Sequence, residues 1–241
     1  MSILPKYVSS AQEDIGLKVT LKQTAASLNI TAYHDIPPVH ITFKATKTTR
    51  VQKALKIALD VDSVLADVII TWLKVYQKLY GGRLKKADVN TWDFWKKLNL
   101  SRRQFGDIFT ETWNRWEQIP PTEEDLAEKV IKLRALGTVD IVTGRSIETV
   151  PHVKEWLNRH NIEYEKFVRV PTNSFKGDLE YDVFIDDSPH NVIGAAGKNR
   201  YSLLYDQPWN QDVAAHPNIF RVKNLSEAIE VIKRLRLEGR I

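Results

Sequence analysis

Six short runs, at 57–59, 139–142, 167–170, 183–185, 201–205 and 219–222, alternate with segments of helical periodicity, and this alternation leaves few folds open. The runs are too short for helices and rich in Val, Ile, Leu, Phe and Tyr, as β-strands are. Those at 57–59 and 183–185 are apolar throughout rather than every second residue, the mark of strands covered on both faces. The intervening segments are helical. Ile69, Trp72, Leu73, Tyr76 and Leu79 recur at three- and four-residue spacing before Gly81-Gly82, and residues 147–160 and 226–237 read as further helices. Strands that alternate with helices give an α/β domain built on a doubly wound parallel sheet.

Two segments stand outside the alternation. Over residues 1–53, apolar positions alternate with polar ones at Leu17, Val19 and Leu21, at Leu28, Ile30 and Ala32, and at Val39, Ile41 and Phe43, with Pro37-Pro38 between the last two sets. This is the period of two or three short antiparallel strands, so an N-terminal β-rich extension is expected there, with the main domain over 54–241. His34 and His40 read as ordinary strand or turn residues. The second segment, about 81–121, is dense in aromatics (Trp92, Phe94, Trp95, Phe105, Phe109, Trp113, Trp116) and lacks any strand signal. It reads as a small helical cap inserted after the first strand. A helix over 122–136, capped by Thr122 with Glu123-Glu124-Asp125 in its first turn, is expected to return the chain to the sheet.

Polar residues concentrate where the strands end. The run Ile57-Ala58-Leu59 delivers Asp60 and Asp62, Val139–Val142 delivers Thr143-Gly144-Arg145, and Val183-Phe184-Ile185 delivers Asp186-Asp187. Lys176 stands in the loop before that last strand. In open parallel sheets, ligands bind in the crevice beyond the carboxyl ends of the strands. Carboxylates so close to one another repel, and a cation or a shared proton is needed to hold them together. Each residue type has a use in phosphoryl transfer. One carboxylate can attack phosphorus, and a second can protonate the leaving oxygen and later take a proton from water. Thr143 and Lys176 can donate to the transferring oxygens. The acids Asp60, Asp62, Asp186 and Asp187 suit a hard divalent ion such as Mg²⁺.

Composition narrows the context. The chain has no cysteine, which excludes disulfides and thiolate chemistry, and its formal charge of +5 is dispersed, so no stable nucleic-acid partner is expected. No secretory apolar run opens the sequence and no stretch approaches about 18 apolar residues, so no membrane partner and a cytoplasmic location are expected.

The ordered motifs resemble those of the haloacid dehalogenase superfamily of phosphatases: Leu59-Asp60-Val61-Asp62-Ser63-Val64-Leu65, Val142-Thr143-Gly144-Arg145, Lys176, and Phe184-Ile185-Asp186-Asp187-Ser188-Pro189. Within it, the chain is most similar to the 5'(3')-deoxyribonucleotidases, through Leu65-Ala66-Asp67, the lysine ten residues before the paired aspartates, the pair Phe94-Trp95 and the tail Tyr205-Asp206-Gln207-Pro208-Trp209-Asn210. The resemblance spans about residues 55–236. It implies a Rossmann-like sheet with a helical cap, and hydrolysis of (deoxy)nucleoside monophosphates through an aspartyl-phosphate with Mg²⁺ as cofactor. Asp60 would be nucleophile and metal ligand, and Asp62 the acid/base, lending the metal its backbone carbonyl. Thr143, Gly144, Arg145 and Lys176 would hold phosphate, with a helix cap the other reading of Arg145; Asp186 and Asp187 would complete the metal site, and Phe94 and Trp95 would meet the base. Ser63 and Val68 depart from the family pattern, which has glycine and an aromatic residue there.

Three alternatives stay open at this point. The cap aromatics could instead form a small core of their own. The substrate could be another small phosphoester, such as a sugar or amino-acid phosphate, and a non-catalytic scaffold is the third reading. A homo-oligomeric partner is compatible with the extension.

Overall fold

The computed structural model describes residues 18–23, 27–33, 39–44, 54–171 and 174–241. The chain divides into two compact units, Met1–Lys53 and Ala54–Ile241. In the first, β1 (Lys18–Gln23), β2 (Ser27–Tyr33) and β3 (Val39–Lys44) form an antiparallel sheet in that order. Its register pairs Leu21 with Ile30 and Ile30 with Ile41, as the period-two pattern requires. Leu17, His34 and Pro37-Pro38 lie outside the described residues.

In the second unit, β4 (Lys56–Leu59), β5 (Thr138–Thr143), β6 (Phe167–Arg169), β7 (Val183–Asp186), β8 (Tyr201–Tyr205) and β9 (Ile219–Val222) form one sheet in the order β6-β5-β4-β7-β8-β9. Every neighbouring pair is parallel. The chain moves outward from β4 through β5 to β6, then crosses back to place β7 on β4's other side. That reversal opens a crevice at the carboxyl ends of β4 and β7, where such sheets take their ligands. Both faces are buried, as the unbroken apolar runs demand. Ile57, Leu59, Ile141, Ile185 and Leu203 enter one core, while Ala58, Val142 and Phe184 enter the other. Gly137 lets β5 begin tight against β4, since a Cβ there would stand 2.3 Å from the Leu55 carbonyl oxygen.

Helices α1 (Val68–Tyr80), α2 (Phe94–Lys97) and α3 (Arg102–Trp113) lie between β4 and β5. Ser101 caps α3, accepting from the Gln104 amide. Helix α1 packs against α3, so the helical insertion reaches back to Val68. Its two connections to the sheet run side by side: Asp67 N–H donates to the Pro120 carbonyl and Thr122 N–H to that of Leu65, both at 2.8 Å. The expected helix over 122–136 is shorter, α4 spanning Leu126–Arg134. Thr122 is not its cap, because its hydroxyl donates to the Val64 carbonyl at 2.7 Å and so ties the two connections together. Three helices complete the cover, α5 (Val150–Arg159), α6 (Pro189–Gly197) and α7 (Leu225–Leu237).

The insertion's aromatics gather around Trp72 and are continuous with the larger core of the sheet. Trp72 on α1 stacks on Tyr76 at 5.4 Å, meets Phe94 edge-on at 5.1 Å and lies 5.7 Å from Phe105. Such edge and offset contacts add about 0.5–1.5 kcal/mol each beyond the area buried.

Candidate active site

The β4 and β7 termini carry the central cluster. Asp60 follows the last residue of β4, and its N–H donates to the Ile185 carbonyl at 3.0 Å, which locks the end of β4 against β7. Asp186 is the last residue of β7, with Asp187 next. All three aspartates are buried, and each offers a carboxylate oxygen within 4.8 Å of the others. Lys176, also buried, reaches in from the loop before β7, with its Nζ 2.8 Å from Asp60 Oδ1 and 2.8 Å from Asp186 Oδ2.

The two β7 aspartates are held differently. Asp186 has both oxygens occupied: Oδ1 accepts from the Ser188 amide at 2.8 Å, Oδ2 from Lys176, and the Asn191 side-chain amide spans both at 3.1 and 3.0 Å. Asp187 Oδ2 accepts from the Trp209 indole at 2.9 Å, which leaves Oδ1 for another partner. Asn210 donates to the Asp187 carbonyl at 2.9 Å and so fixes the turn beneath. Asp60 Oδ1 accepts from Lys176 and from the Val61 amide at 2.8 Å, which leaves Oδ2.

Electrostatics make this arrangement costly without a cation. Burial pushes the Asp60 carboxyl up from 3.8 to about 7; Lys176 opposes the shift, while Asp186 and Asp62 add to it. Burial likewise raises Asp187 well above the carboxylate range, helped by Asp186 and Asp60. Burial alone would lower Lys176, but Asp186 and Asp60 outweigh it and hold its ammonium above the usual lysine range. Three carboxylates against one ammonium leave two negative charges when all are ionised, the charge of one divalent cation. The donor atoms are hard oxygens, and the free oxygens of Asp60 and Asp187 fit such an ion.

Asp62 lies to one side, on the loop after β4. Its Oδ1 accepts from the Trp113 indole at 3.1 Å, and its Oδ2 is 2.6 Å from Arg145 Nε. Between the two aspartates and the α1 helix the chain must turn sharply. Ser63 makes that turn at φ +61°, in the left-handed region that glycine adopts at least cost, which accounts for glycine being usual there. The Ser63 carbonyl accepts from the Gln207 side chain at 2.7 Å. Thr143 ends β5 fully buried, its hydroxyl accepting from the Arg145 amide at 3.3 Å, and Gly144 stands exposed beside it.

Thus Asp60, Lys176, Asp186 and Asp187 form one connected group, with Asp62 and Arg145 paired beside them. Phe94 and Trp95 belong to the aromatic cluster around Trp72: Phe94 is buried against Trp72 and Phe105, and Trp95, partly exposed, stacks on Phe105 at 5.8 Å. Trp113, Trp209, Asn191 and Gln207 escaped the sequence argument as site residues. Trp113, Trp209 and Asn191 touch the acids only through indole and amide N–H groups, and Gln207 reaches the Ser63 carbonyl, so nothing in local spacing separates these residues from ordinary core. The tail 205–210 supplied the one signal.

Residues 53–238 match the family described as "5' nucleotidase, deoxy (Pyrimidine), cytosolic type C protein". Among curated proteins, the "5'(3')-deoxyribonucleotidase" of Bacillus subtilis (strain 168) is 25% identical over 174 residues, covering 71% of this chain and 94% of that protein. The protein of the same description from Bacillus phage SPbeta matches equally well. Among solved structures, a haloacid dehalogenase-like hydrolase from Streptococcus pneumoniae superposes with a TM-score of 0.57 at 14% identity, covering 74% of this chain and 98% of that one. An L-2-haloacid dehalogenase from Xanthobacter autotrophicus, with chloropropionic acid covalently bound, gives 0.51 at 13% identity over 75% and 99%. Identities this low show a common fold and no more.

Proposed function

Because the chain belongs to the family of cytosolic type C 5' nucleotidases, within the haloacid dehalogenase fold, we propose that it hydrolyses nucleoside monophosphates through a phosphoaspartate on Asp60. The observation that carries the reading is the Lys176 ammonium bridging Asp60 and Asp186 at 2.8 Å, at the reversal point of the sheet, beside the free oxygens of Asp60 and Asp187.

In the first step Asp60 forms a bond to phosphorus as the phosphorus–oxygen bond to the nucleoside breaks, and Asp62 gives its proton to the departing oxygen. In the second, water attacks the same phosphorus and yields a proton to Asp62, the Asp60–phosphorus bond breaks, and phosphate leaves. Lys176, the Thr143 hydroxyl and Arg145 are the groups that hold the phosphoryl oxygens, with the backbone around Gly144 open to them. Asp60, Asp187 and the Asp62 carbonyl would hold Mg²⁺, with Asp186 orienting Lys176 beside them. The ion supplies positive charge to the transferring oxygens and offsets the repulsion among the acids. Trp95 keeps partial exposure and Trp92 is exposed, so both are cap aromatics able to meet a base.

The test is phosphate release over nucleoside monophosphates, sugar phosphates and amino-acid phosphates, with Mg²⁺ and with EDTA. Expected is turnover of nucleoside monophosphates that EDTA abolishes. Preference for sugar or amino-acid phosphates would displace the nucleotide reading, and full activity in EDTA would displace the metal.

Proton and cation should compete at this site. Between about pH 4 and about pH 7 an unfolded chain has released the proton that folded Asp60 still holds, so folding takes up protons in that window. The cation-free protein should therefore lose thermal stability as pH rises through it. Added Mg²⁺ should raise Tm more at pH 8 than at pH 5, since it needs the ionised acids. A Tm that ignores Mg²⁺ at pH 8 would rule out the cation site.

Among the described residues no helix is long and apolar enough to cross a membrane. The family's cytosolic description supports a cytoplasmic enzyme.

A further inference from the structure

Two groups hold Asp62, and they differ in kind. Trp113 Nε1 donates an aligned hydrogen bond to Oδ1 at 3.1 Å, from an indole that is 0% exposed. Arg145 Nε lies 2.6 Å from Oδ2, yet its N–H is not aimed along a hydrogen bond, and its guanidinium lies 4.4 Å above the Phe109 ring. Phe109 and Trp113 are four residues apart on α3, so one face of a helix in the insertion meets both the carboxylate and its counter-ion.

An indole N–H only donates. While it points at Oδ1 it occupies a lone pair there and lowers that oxygen's basicity, which favours Oδ2 as the oxygen that takes a proton. Arginine is also donor-only, so Oδ2 takes a proton more readily once Arg145 has moved off. The arginine is the partner without an aligned bond, and phosphate offers it a better-matched acceptor.

We propose that Trp113 is the positioning residue for Asp62, fixing Oδ1 so that Oδ2 is the oxygen that exchanges protons with the leaving group and with water, and that Arg145 is the exchangeable partner which the substrate's phosphate draws away. This rests on the reading of Asp62 as the acid/base. It gives α3 a part in the chemistry beyond covering the crevice.

The test compares Trp113→Phe with wild type on two substrates. A nucleoside monophosphate leaves as a poor alkoxide and needs the acid; para-nitrophenyl phosphate leaves as a stabilised phenolate and does not. Expected is a fall of about 10- to 100-fold in kcat on the nucleotide, since displacing a reacting group by about an ångström costs up to roughly 10²-fold. KM should change by less than about twofold, and the first-turnover burst of nitrophenolate should persist. An unchanged nucleotide kcat, or a burst slowed by the same factor, overturns the proposal. If phenylalanine leaves too large a cavity for folding, replacing the Trp113 indole by benzothienylalanine keeps the shape without the N–H and is read in the same way. Asp62→Asn in parallel separates the layers. Full nucleotide turnover there overturns the acid/base reading itself, whereas loss in Asp62→Asn with none in Trp113→Phe overturns only the role of Trp113.

Discussion

Asp60→Asn should lower kcat on a nucleoside monophosphate by at least about 10⁴-fold, a barrier increase of about 5.5 kcal/mol, because the amide is nearly isosteric with the acid but a poor nucleophile. Rapid quenching with phosphate-labelled substrate should then trap no phosphoprotein, whereas wild type should yield one. The fold should survive. The substitution removes one charge from a buried group of acids whose repulsion and desolvation push the Asp60 carboxyl up to about 7, so the cation-free variant should melt no lower than wild type at pH 8. Retention of more than about a hundredth of the rate, with the variant folded, would exclude covalent catalysis by this residue.

Lys176→Met should produce the largest loss of stability of any single change in the site. The ammonium answers two buried carboxylates at 2.8 Å each, and methionine fills a similar volume without charge. Removing one partner of a buried ion pair costs about 3–5 kcal/mol, since the other is left uncompensated. In a unit of this size that lowers Tm by roughly 6–20 °C. Adding Asp186→Asn removes one stranded charge, so the double variant should recover part of the Tm and none of the activity. A Lys176→Met protein melting within a degree or two of wild type would mean the bridge contributes nothing, and the electrostatic account of the site would fall with it.

How much of this was legible beforehand depends on the range over which each feature is encoded. The strands at 57–59 and 183–185 were readable because burial on both faces requires consecutive apolar side chains, and those at 139–142 and 201–205 because short runs rich in β-formers alternate with helices, both local signals. The helix over 122–136 was misjudged for the opposite reason. Thr122, Glu123 and Glu124 look like the start of a helix, but the Thr122 hydroxyl is spent on Val64, and Glu123 accepts from the Tyr205 hydroxyl and the Leu225 amide. Residues more than fifty positions away took those groups, and the helix begins at Leu126 instead.

The sequence by itself determined the parallel sheet and the polar groups that close its strands. Runs that end in Asp60, Thr143 and Asp186 fix both the strands and the end of the sheet at which those polar groups collect. Only the tertiary structure decided how those groups are paired. The strand order puts Asp60 beside Asp186 so that one lysine reaches both, and the packing of α3 on α1 brings Trp113 to Asp62 and Phe109 beneath Arg145. It also buries Phe94 against Trp72 and Phe105. The physical reason is that a side chain's protonation, partner and exposed face are set by atoms within a few ångströms in space. The neighbours of Asp62 stand 51 and 83 residues away along the chain, a separation over which no local periodicity carries information.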